Sequence, residues 1–191
     1  MTSSPHAHRP DDLDAHPRGL GDALSAEQLK ALFRGHPGGV AVITAEGPDG
    51  PVALTATSVS SVSVDPPLLI FSVSTLSSAA PAIVAAQTIV VHLLDAEDVE
   101  LAELGATSGV DRFADTGRWT RLVTGEPVYL GVRAWARCVV VSRMEAGGST
   151  IVAAQALQAA EERPTADGGE GALVYHNRTW HRLGDHSRLD R

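Results

Sequence analysis

The chain has 191 residues, 43% of them hydrophobic but only 4% aromatic, and a formal net charge of −8. This length fits a single domain, and the acidic charge argues against nucleic acid and anionic membranes as partners. No apolar run approaches the roughly 18 residues of a membrane span, and no signal-peptide segment is evident, so we expect a cytoplasmic protein.

The two ends of the chain are predicted to be tails. Residues 1–23 are rich in Pro, Asp, His, Ser and Gly, and they contain too few apolar side chains to repay the entropy of ordering. We therefore predict a flexible, dispensable tail over 1–23, a domain over 24–184 and a short tail over 185–191. The sequence Ser-Ala-Glu-Gln at 25–28 has the form of a capping box, and the apolar spacing after it predicts a helix over 26–35.

The central stretch, residues 52–78, is the richest in hydroxyl side chains. Alternating apolar residues predict one strand over 52–64, which the prolines of 65–67 end because they cannot donate to a ladder. Six of the nine residues from Thr55 to Ser63 carry hydroxyls, on both faces of this strand. Such groups need polar partners. Either a polar ligand or solvent supplies them.

A second strand is predicted over Leu68–Val73, and it leads into a serine-rich segment. Pro81 is tolerated only in the first turn of a helix, which predicts a helix start at Ser77 or Ser78. Hydroxyls and free backbone N–H groups at a helix N-terminus can hold a phosphate. This segment is therefore a candidate phosphate site.

The rest of the chain predicts more strands than helices. Strands are predicted at 40–45, 88–94, 128–144, 149–159, 173–176 and 179–183, helices at 79–86 and 95–104, and loops at 109–117 and 161–171. Turns are predicted at 47–50, at 147–148 and at 177–178. Cys138, in an apolar run, is predicted to be a buried small hydrophobe. The fold class is thus mainly β with a few short helices.

Familiar catalytic motifs are absent from the sequence. It contains no G-x-G-x-x-G, no P-loop, no H-E-x-x-H and no G-x-S-x-G, and Lys30 is its only lysine. No catalytic side chain and no metal site is predicted. The chemistry is therefore better assigned to a bound cofactor.

Several segments, in the same order along the chain, resemble the flavin reductase-like family of FMN-binding split-barrel enzymes. They are residues 39–44, 55–58, 61–68 and 111–113, the strand around Trp135 and Cys138, and residues 174–183. The resemblance covers roughly residues 29–184 and implies a homodimeric split β-barrel with Greek-key character. It implies an NAD(P)H-dependent FMN reductase that supplies reduced flavin to a monooxygenase, with FAD as an alternative flavin.

Two other functions remain open at this point. One is an oxidase or reductase similar to the pyridoxamine-phosphate oxidases, and the other is a non-catalytic module that binds flavin or a tetrapyrrole.

The resemblance also implies positions for the site residues. Those expected at the isoalloxazine edge are Thr55, Ala56, Thr57 and Ser58, and those expected around the phosphate are Ser72, Val73, Ser74, Ser77 and Ser78. Arg112 and Phe113 are expected beside the phosphate or ribityl chain, and His176 and Trp180 beside the ring, with a neighbouring subunit as one source.

The implied nicotinamide side carries Gly148 and Ser149. Many family members have Gly-Asp-His where this chain has Gly147-Gly148-Ser149. The missing carboxylate and imidazole predict weakened NAD(P)H binding.

Overall fold

The computed structural model describes residues 23–163 and 171–189, and the chain divides into two compact units, 1–33 and 34–191. Helix α1 (Ala26–Arg34) supplies most of the described part of the first unit. The predicted capping box is formed, because the backbone N–H of Gln28 donates to Ser25 Oγ (3.2 Å) and that of Ser25 donates to Gln28 Oε1 (2.8 Å). The predicted N-terminal tail lies almost wholly outside the described residues, and the domain boundaries stay predictions.

The second unit is mainly β, as predicted. Its strands are β1 (Gly38–Gly39), β2 (Ala41–Gly47), β3 (Gly50–Ala56), β4 (Ser60–Ser63), β5 (Leu68–Ser74), β6 (Thr88–Leu93), β7 (Trp119–Arg121), β8 (Pro127–Tyr129), β9 (Ala134–Ala146), β10 (Ser149–Glu161), β11 (Leu173–His176) and β12 (Thr179–Arg182). Its helices are α2 (Ala80–Ala85) and α3 (Val99–Ala106), with 3₁₀ turns at Ala96–Asp98 and Asp185–Ser187. Most of the predicted loop over 161–171 lies outside the described residues.

Seven strands form one antiparallel sheet in the order β3-β2-β6-β9-β10-β5-β4. Strands β1, β11 and β12 form a second sheet, and β7 pairs with β8. The long β9–β10 hairpin has register shifts between Ala153 and Ala154 and between Ala156 and Gln158. Bulges of this kind bend strands. The large sheet curls, so that β3 and β5 line one groove although four strands separate them.

Both faces of the large sheet are covered by apolar residues, because side chains alternate along each strand. One cluster, the inner core, contains Ile43 of β2, Ile89 of β6 and Phe71 of β5, with Ile83 of α2 fully buried against them. The outer core takes the alternate side chains and packs them against α3 and the loop after it. Its members include Val42, Val90, Leu101, Phe113, Tyr129 and Trp135.

Two predictions about the central stretch are wrong in detail. The strand predicted over 52–64 breaks after Ala56, and its halves, β3 and β4, lie at opposite ends of the large sheet. The reason is Ser58, whose hydroxyl accepts from the backbone N–H of Ser72 on β5 (3.0 Å) and turns the chain away from β2. The helix predicted from Ser77 or Ser78 begins at Ala80, because residues 75–79 form turns first.

Other local predictions are confirmed. Pro81 lies in the first turn of α2, and the final hairpin turns at Asn177 and Arg178, whose positive φ values of 47° and 63° fit a tight turn. The extended segment predicted over 128–144, with a break near Gly131, is interrupted at Gly131, which has a φ of 69°. The short strand β7 was not predicted.

Two polar side chains are fully buried between the sheets. His92 Nε2 accepts from the backbone N–H of Tyr129 (3.0 Å), so the proton is on Nδ1, which faces the carbonyl of Val42 at 3.0 Å. Thr44 donates its hydroxyl proton to the carbonyl of Pro127 (2.5 Å). These bonds fix β8 against β2 and β6. Burial lowers the pKa of His92 to about 4, so the ring is neutral near pH 7.

Cys138 is fully buried in the inner core, as predicted, and burial raises the pKa of its thiol to about 11. The thiol is therefore inert at neutral pH. No helix among the described residues combines the length and apolar character needed to cross a bilayer.

Candidate functional site

The hydroxyl-rich segments of the central stretch meet in one groove of about 400 Å³. Strands β3 and β5 form its walls, and the turns before α2, the end of α3 and the start of β10 complete it. The lining residues are Leu54, Thr55, Ala56, Thr57, Ser58, Ser72, Val73, Ser74, Ser77, Ser78, Gly105, Ala106, Ser108, Arg112 and Ser149. Eleven of the fifteen positions expected from the sequence therefore come together.

The loop between β5 and α2, residues 74–79, is organised by its own hydroxyls. Ser74 Oγ accepts from the N–H of Leu76 (3.3 Å), and Ser77 Oγ accepts from the N–H of Ala79 (3.4 Å). Both hydroxyls keep a proton to donate. Ser78 makes no hydrogen bond, through its hydroxyl or its backbone N–H, to another described residue. The loop thus offers several donors to a ligand in the groove.

A short α2 changes the physical basis of this anion site. The helix has only six residues, and its N-cap, Ala79, has no side-chain cap. A helix dipole supplies little over such a length. Recognition of an anion here would therefore depend on hydroxyls, the free amide of Ser78 and one cation.

That cation is Arg112, the only charged side chain among the described residues that line the groove. Its Nη2 donates to the carbonyl of Thr107 (2.6 Å), and its Nε donates to the carbonyl of Leu104 (3.3 Å). Carbonyls at a helix C-terminus need donors, and a guanidinium supplies them. The end of α3 thereby holds Arg112 at the groove and leaves further N–H groups for a ligand.

Phe113 does not line the groove. It packs in the outer core and so anchors the loop that carries Arg112. Its ring is 6% exposed, stacks on Tyr129 at 5.2 Å and meets Trp119 edge-on at 5.0 Å. The hydroxyl of Tyr129 donates to the carbonyl of Arg112 (2.7 Å). The structure therefore places Phe113 in the outer core and outside the lining of the groove.

His176 and Trp180 also lie away from the groove within one chain. They belong to β11 and β12, where Trp180 packs on Tyr175 at 4.5 Å and His176 meets His181 at 5.5 Å. Gly148 does not line the groove either, but its carbonyl accepts from the N–H and the hydroxyl of Thr75, both at 3.0 Å. It is therefore joined to the groove's serine loop.

The sequence did not reveal the contribution of α3. Thr55 donates its hydroxyl proton to the carbonyl of Ala102 (2.7 Å), which seats α3 on β3. A Cβ added at Gly105 would lie 2.4 Å from Thr55 Oγ1, so only glycine allows this approach. A glycine inside a helix costs about 1 kcal/mol relative to alanine. Because of this cost, a helical glycine in the sequence could have indicated a close contact at Gly105. Nothing in the sequence around Ser108 indicated that it lines the groove.

The composition of the groove suits binding more than acid–base catalysis. Its described lining residues include no carboxylate, imidazole, thiol, phenol or lysine. Hydroxyls, backbone groups and one guanidinium suit a polar, planar ligand that carries an anionic end.

The match to known sequences agrees with this geometry. Residues 33–184 match the family described as flavin reductase like domain. The chain therefore belongs to the flavin reductase-like family. An NADH:FMN oxidoreductase of Rhodococcus erythropolis is 37% identical over 163 residues, which cover 85% of this chain and 84% of that protein.

Three solved structures share the fold. A flavin reductase domain protein from Arthrobacter sp. FB24 is 28% identical with a TM-score of 0.78, covering 86% of this chain and 98% of that chain. BorF, the flavin reductase component of a bacterial two-component tryptophan halogenase, is 29% identical with a TM-score of 0.72 (84% and 99%). The Streptomyces globisporus C-1027 NADH:FAD oxidoreductase SgcE6, in complex with NAD and FAD fragments, is 26% identical with a TM-score of 0.74 (88% and 100%).

Proposed function

We propose that the protein is an FMN reductase that uses NADH and supplies reduced flavin to a separate oxygenase. The observation that carries this proposal is one groove in which ten positions expected at the flavin meet Ser149, which is expected on the nicotinamide side. Membership of the flavin reductase-like family supports it. The same groove gives no support to a hydrolase or transferase, since its described lining residues hold no nucleophile paired with a base.

The serine loop and Arg112 would bind the phosphate of FMN. Ser74, Ser77 and Ser78 each have a proton or an amide to donate, and Arg112 supplies the positive charge. Thr57 and Ser58, which also line the groove, would face the polar rim of the isoalloxazine. The Rhodococcus relative is named for FMN and SgcE6 for FAD. We propose FMN because the groove's single cation matches one phosphate.

When bound, the flavin supplies the redox chemistry: NADH gives it a hydride and leaves as NAD⁺. No acid or base of the chain would be obligatory for this transfer, because a hydride carries both electrons and the hydrogen. The chain's own contribution is orientation. The hydroxyls and dipoles of β3 and β5 would fix the ring, and the open side of the groove would admit the nicotinamide.

Anaerobic mixing of the FMN-loaded protein with NADH tests this function directly. We expect the visible absorbance of oxidised flavin to disappear, and NADPH to act more slowly than NADH. If neither nucleotide bleaches the flavin at millimolar concentration, the protein is not a reductase. If NADPH is faster, the reductase stands but the proposed nucleotide is wrong.

The nicotinamide side should be improvable by mutation. Gly148→Asp combined with Ser149→His restores the carboxylate and imidazole of many family members, and a Cβ at Gly148 meets no atom within 4 Å. The two added polar groups should together contribute about 1.4 kcal/mol, so KM for NADH should fall about tenfold with kcat little changed. Gly148→Ala with Ser149→Ala is the matched control and should not lower KM. An unchanged KM for NADH in the Asp-His variant would contradict the assignment of Gly148 and Ser149 to the nicotinamide side.

A homodimer is proposed on the basis of exposed apolar side chains. Val62 and Val64 lie at or beside β4, an edge of the large sheet, and Leu76 is 95% exposed. An uncovered apolar edge favours pairing with another chain. Light scattering should give about twice the monomer mass of 19.9 kDa. A monomer at micromolar concentration with FMN bound would contradict this. His176 and Trp180 would then have no route to the flavin ring from a second subunit.

An oxygenase partner is proposed from the two-component system in which BorF takes part. Added oxygenase of this class should consume reduced flavin produced by the protein. A cytoplasmic location remains a prediction.

A further inference from the structure

The β9–β10 hairpin holds the serine loop and α2 from both ends. At one end, Thr75 donates its N–H and its hydroxyl proton to the carbonyl of Gly148, in the hairpin turn. At the other end, Arg143 of β9 donates Nη2 to the carbonyl of Ala86 (2.5 Å) and Nε to the carbonyl of Val84. Residues 74–86, which contain the proposed phosphate donors, are thus held between two points of one hairpin.

Helix α2 needs this support. A helix of six residues is far below the length of about 12 at which isolated helices become marginally stable. Its last carbonyls have no partners within the helix, and a cation near a helix C-terminus satisfies them and interacts favourably with the dipole. Ala79, Ala80 and Ile83 anchor one side of α2 in the inner core, and the contacts at its two ends fix the backbone that this packing does not reach.

The backbone of β9 adds one further contact at this end. The N–H of Val140 donates to the carbonyl of Gln87 (2.9 Å), just after α2. Arg143 follows on the same strand, opposite Val152 of β10, and it does not line the groove. Its guanidinium therefore acts on the groove only through α2 and the turn at Ser77 and Ser78.

From these contacts we infer that Arg143 is a positioning residue for the flavin phosphate. It fixes α2, and through α2 the donors of Ser77 and Ser78, without touching the ligand. The inference rests on the proposed function, because it assumes that the phosphate lies at this loop.

The experiment compares FMN with riboflavin, which has the same ring but no phosphate. Arg143→Met keeps the length of the side chain and removes the hydrogen bonds. We expect Kd for FMN to rise about three- to tenfold and Kd for riboflavin to stay unchanged, so that the preference for FMN shrinks. Arg143→Lys keeps the charge and one donor group, and it should recover part of the preference.

Arg121→Met is the matched control. Arg121 also joins separate elements, through Glu46 of β2 and the carbonyl of Gly125, and it lies outside the groove. Its loss should leave the FMN preference intact. Melting of each apoprotein separates a general loss of stability from a local effect.

The outcomes distinguish a failure of the proposed phosphate site from a failure of the inference about Arg143. If the unmodified protein binds FMN and riboflavin equally, the phosphate assignment itself fails. If it prefers FMN and Arg143→Met keeps the full preference, the inference about Arg143 fails while the proposed function stands. Equal losses for FMN and riboflavin would make Arg143 a residue of general stability and would also overturn the inference.

Discussion

Replacing Ser77 and Ser78 together by alanine should weaken FMN binding by about 2 to 4 kcal/mol, or roughly 30- to 1,000-fold in Kd. Hydrogen bonds to a charged group contribute about 1.5 to 3 kcal/mol each, and both hydroxyls line the groove. Arg112 and the amide of Ser78 remain in the variant. The loss should therefore be large but incomplete, and calorimetric titration with FMN measures it.

The control for this variant removes two hydroxyls elsewhere. Ser60 and Ser61 lie on β4 outside the groove, and their replacement by alanine should leave Kd for FMN unchanged. Riboflavin should bind the Ser77-Ser78 variant as well as it binds the unmodified protein. FMN affinity that survives the double replacement would move the phosphate to another part of the groove.

Local sequence signals predicted the elements whose geometry is decided locally. The capping box at Ser25 and Gln28 involves four consecutive residues, and the turn at Asn177 and Arg178 needs only two residues that tolerate positive φ. Both formed as predicted. Pro81 likewise placed the start of α2 within three residues, because proline excludes later helical positions.

The break between β3 and β4 could not be predicted in this way. Alternating apolar residues run through both strands, so the periodicity is the same whether the chain continues or crosses to another edge. The deciding bond joins Ser58 to Ser72, fourteen residues away. Pairing at that distance depends on how the whole sheet curls.

Predictions about the candidate site divide in the same way, between features decided locally and features that depend on contacts between distant residues. The hydroxyl-rich composition singled out two stretches whose hydroxyls require polar partners, and the family resemblance implied a ligand as that partner. The contribution of α3 was missed, because only the folded chain brings Gly105 against Thr55. The family resemblance implied both Arg112 and Phe113 at the cofactor, but successive residues of a loop can point in opposite directions, and the apolar ring of Phe113 lies in the outer core.

His92→Leu should lower the free energy of unfolding at pH 7 by about 2 to 5 kcal/mol. The substitution leaves the N–H of Tyr129 and the carbonyl of Val42 buried without their present partners, and each such group costs about 1 to 3 kcal/mol. His186→Leu, which changes an exposed histidine, is the control and should alter stability by less than about 0.5 kcal/mol. Denaturant unfolding measures both variants.

The pH dependence of this effect tests its cause. The folded-state pKa of His92 is about 4, below its ordinary value of 6.5, so between these values the unfolded chain binds a proton that the folded protein excludes. Stability from this group is complete above pH 6.5 and is lost as the pH falls towards 4, by about 2 kcal/mol between pH 7 and pH 5. His92→Leu lacks this loss. The gap in stability between the two proteins should therefore narrow by about 2 kcal/mol at pH 5, and a gap that stays constant would show that His92 is not held neutral by burial.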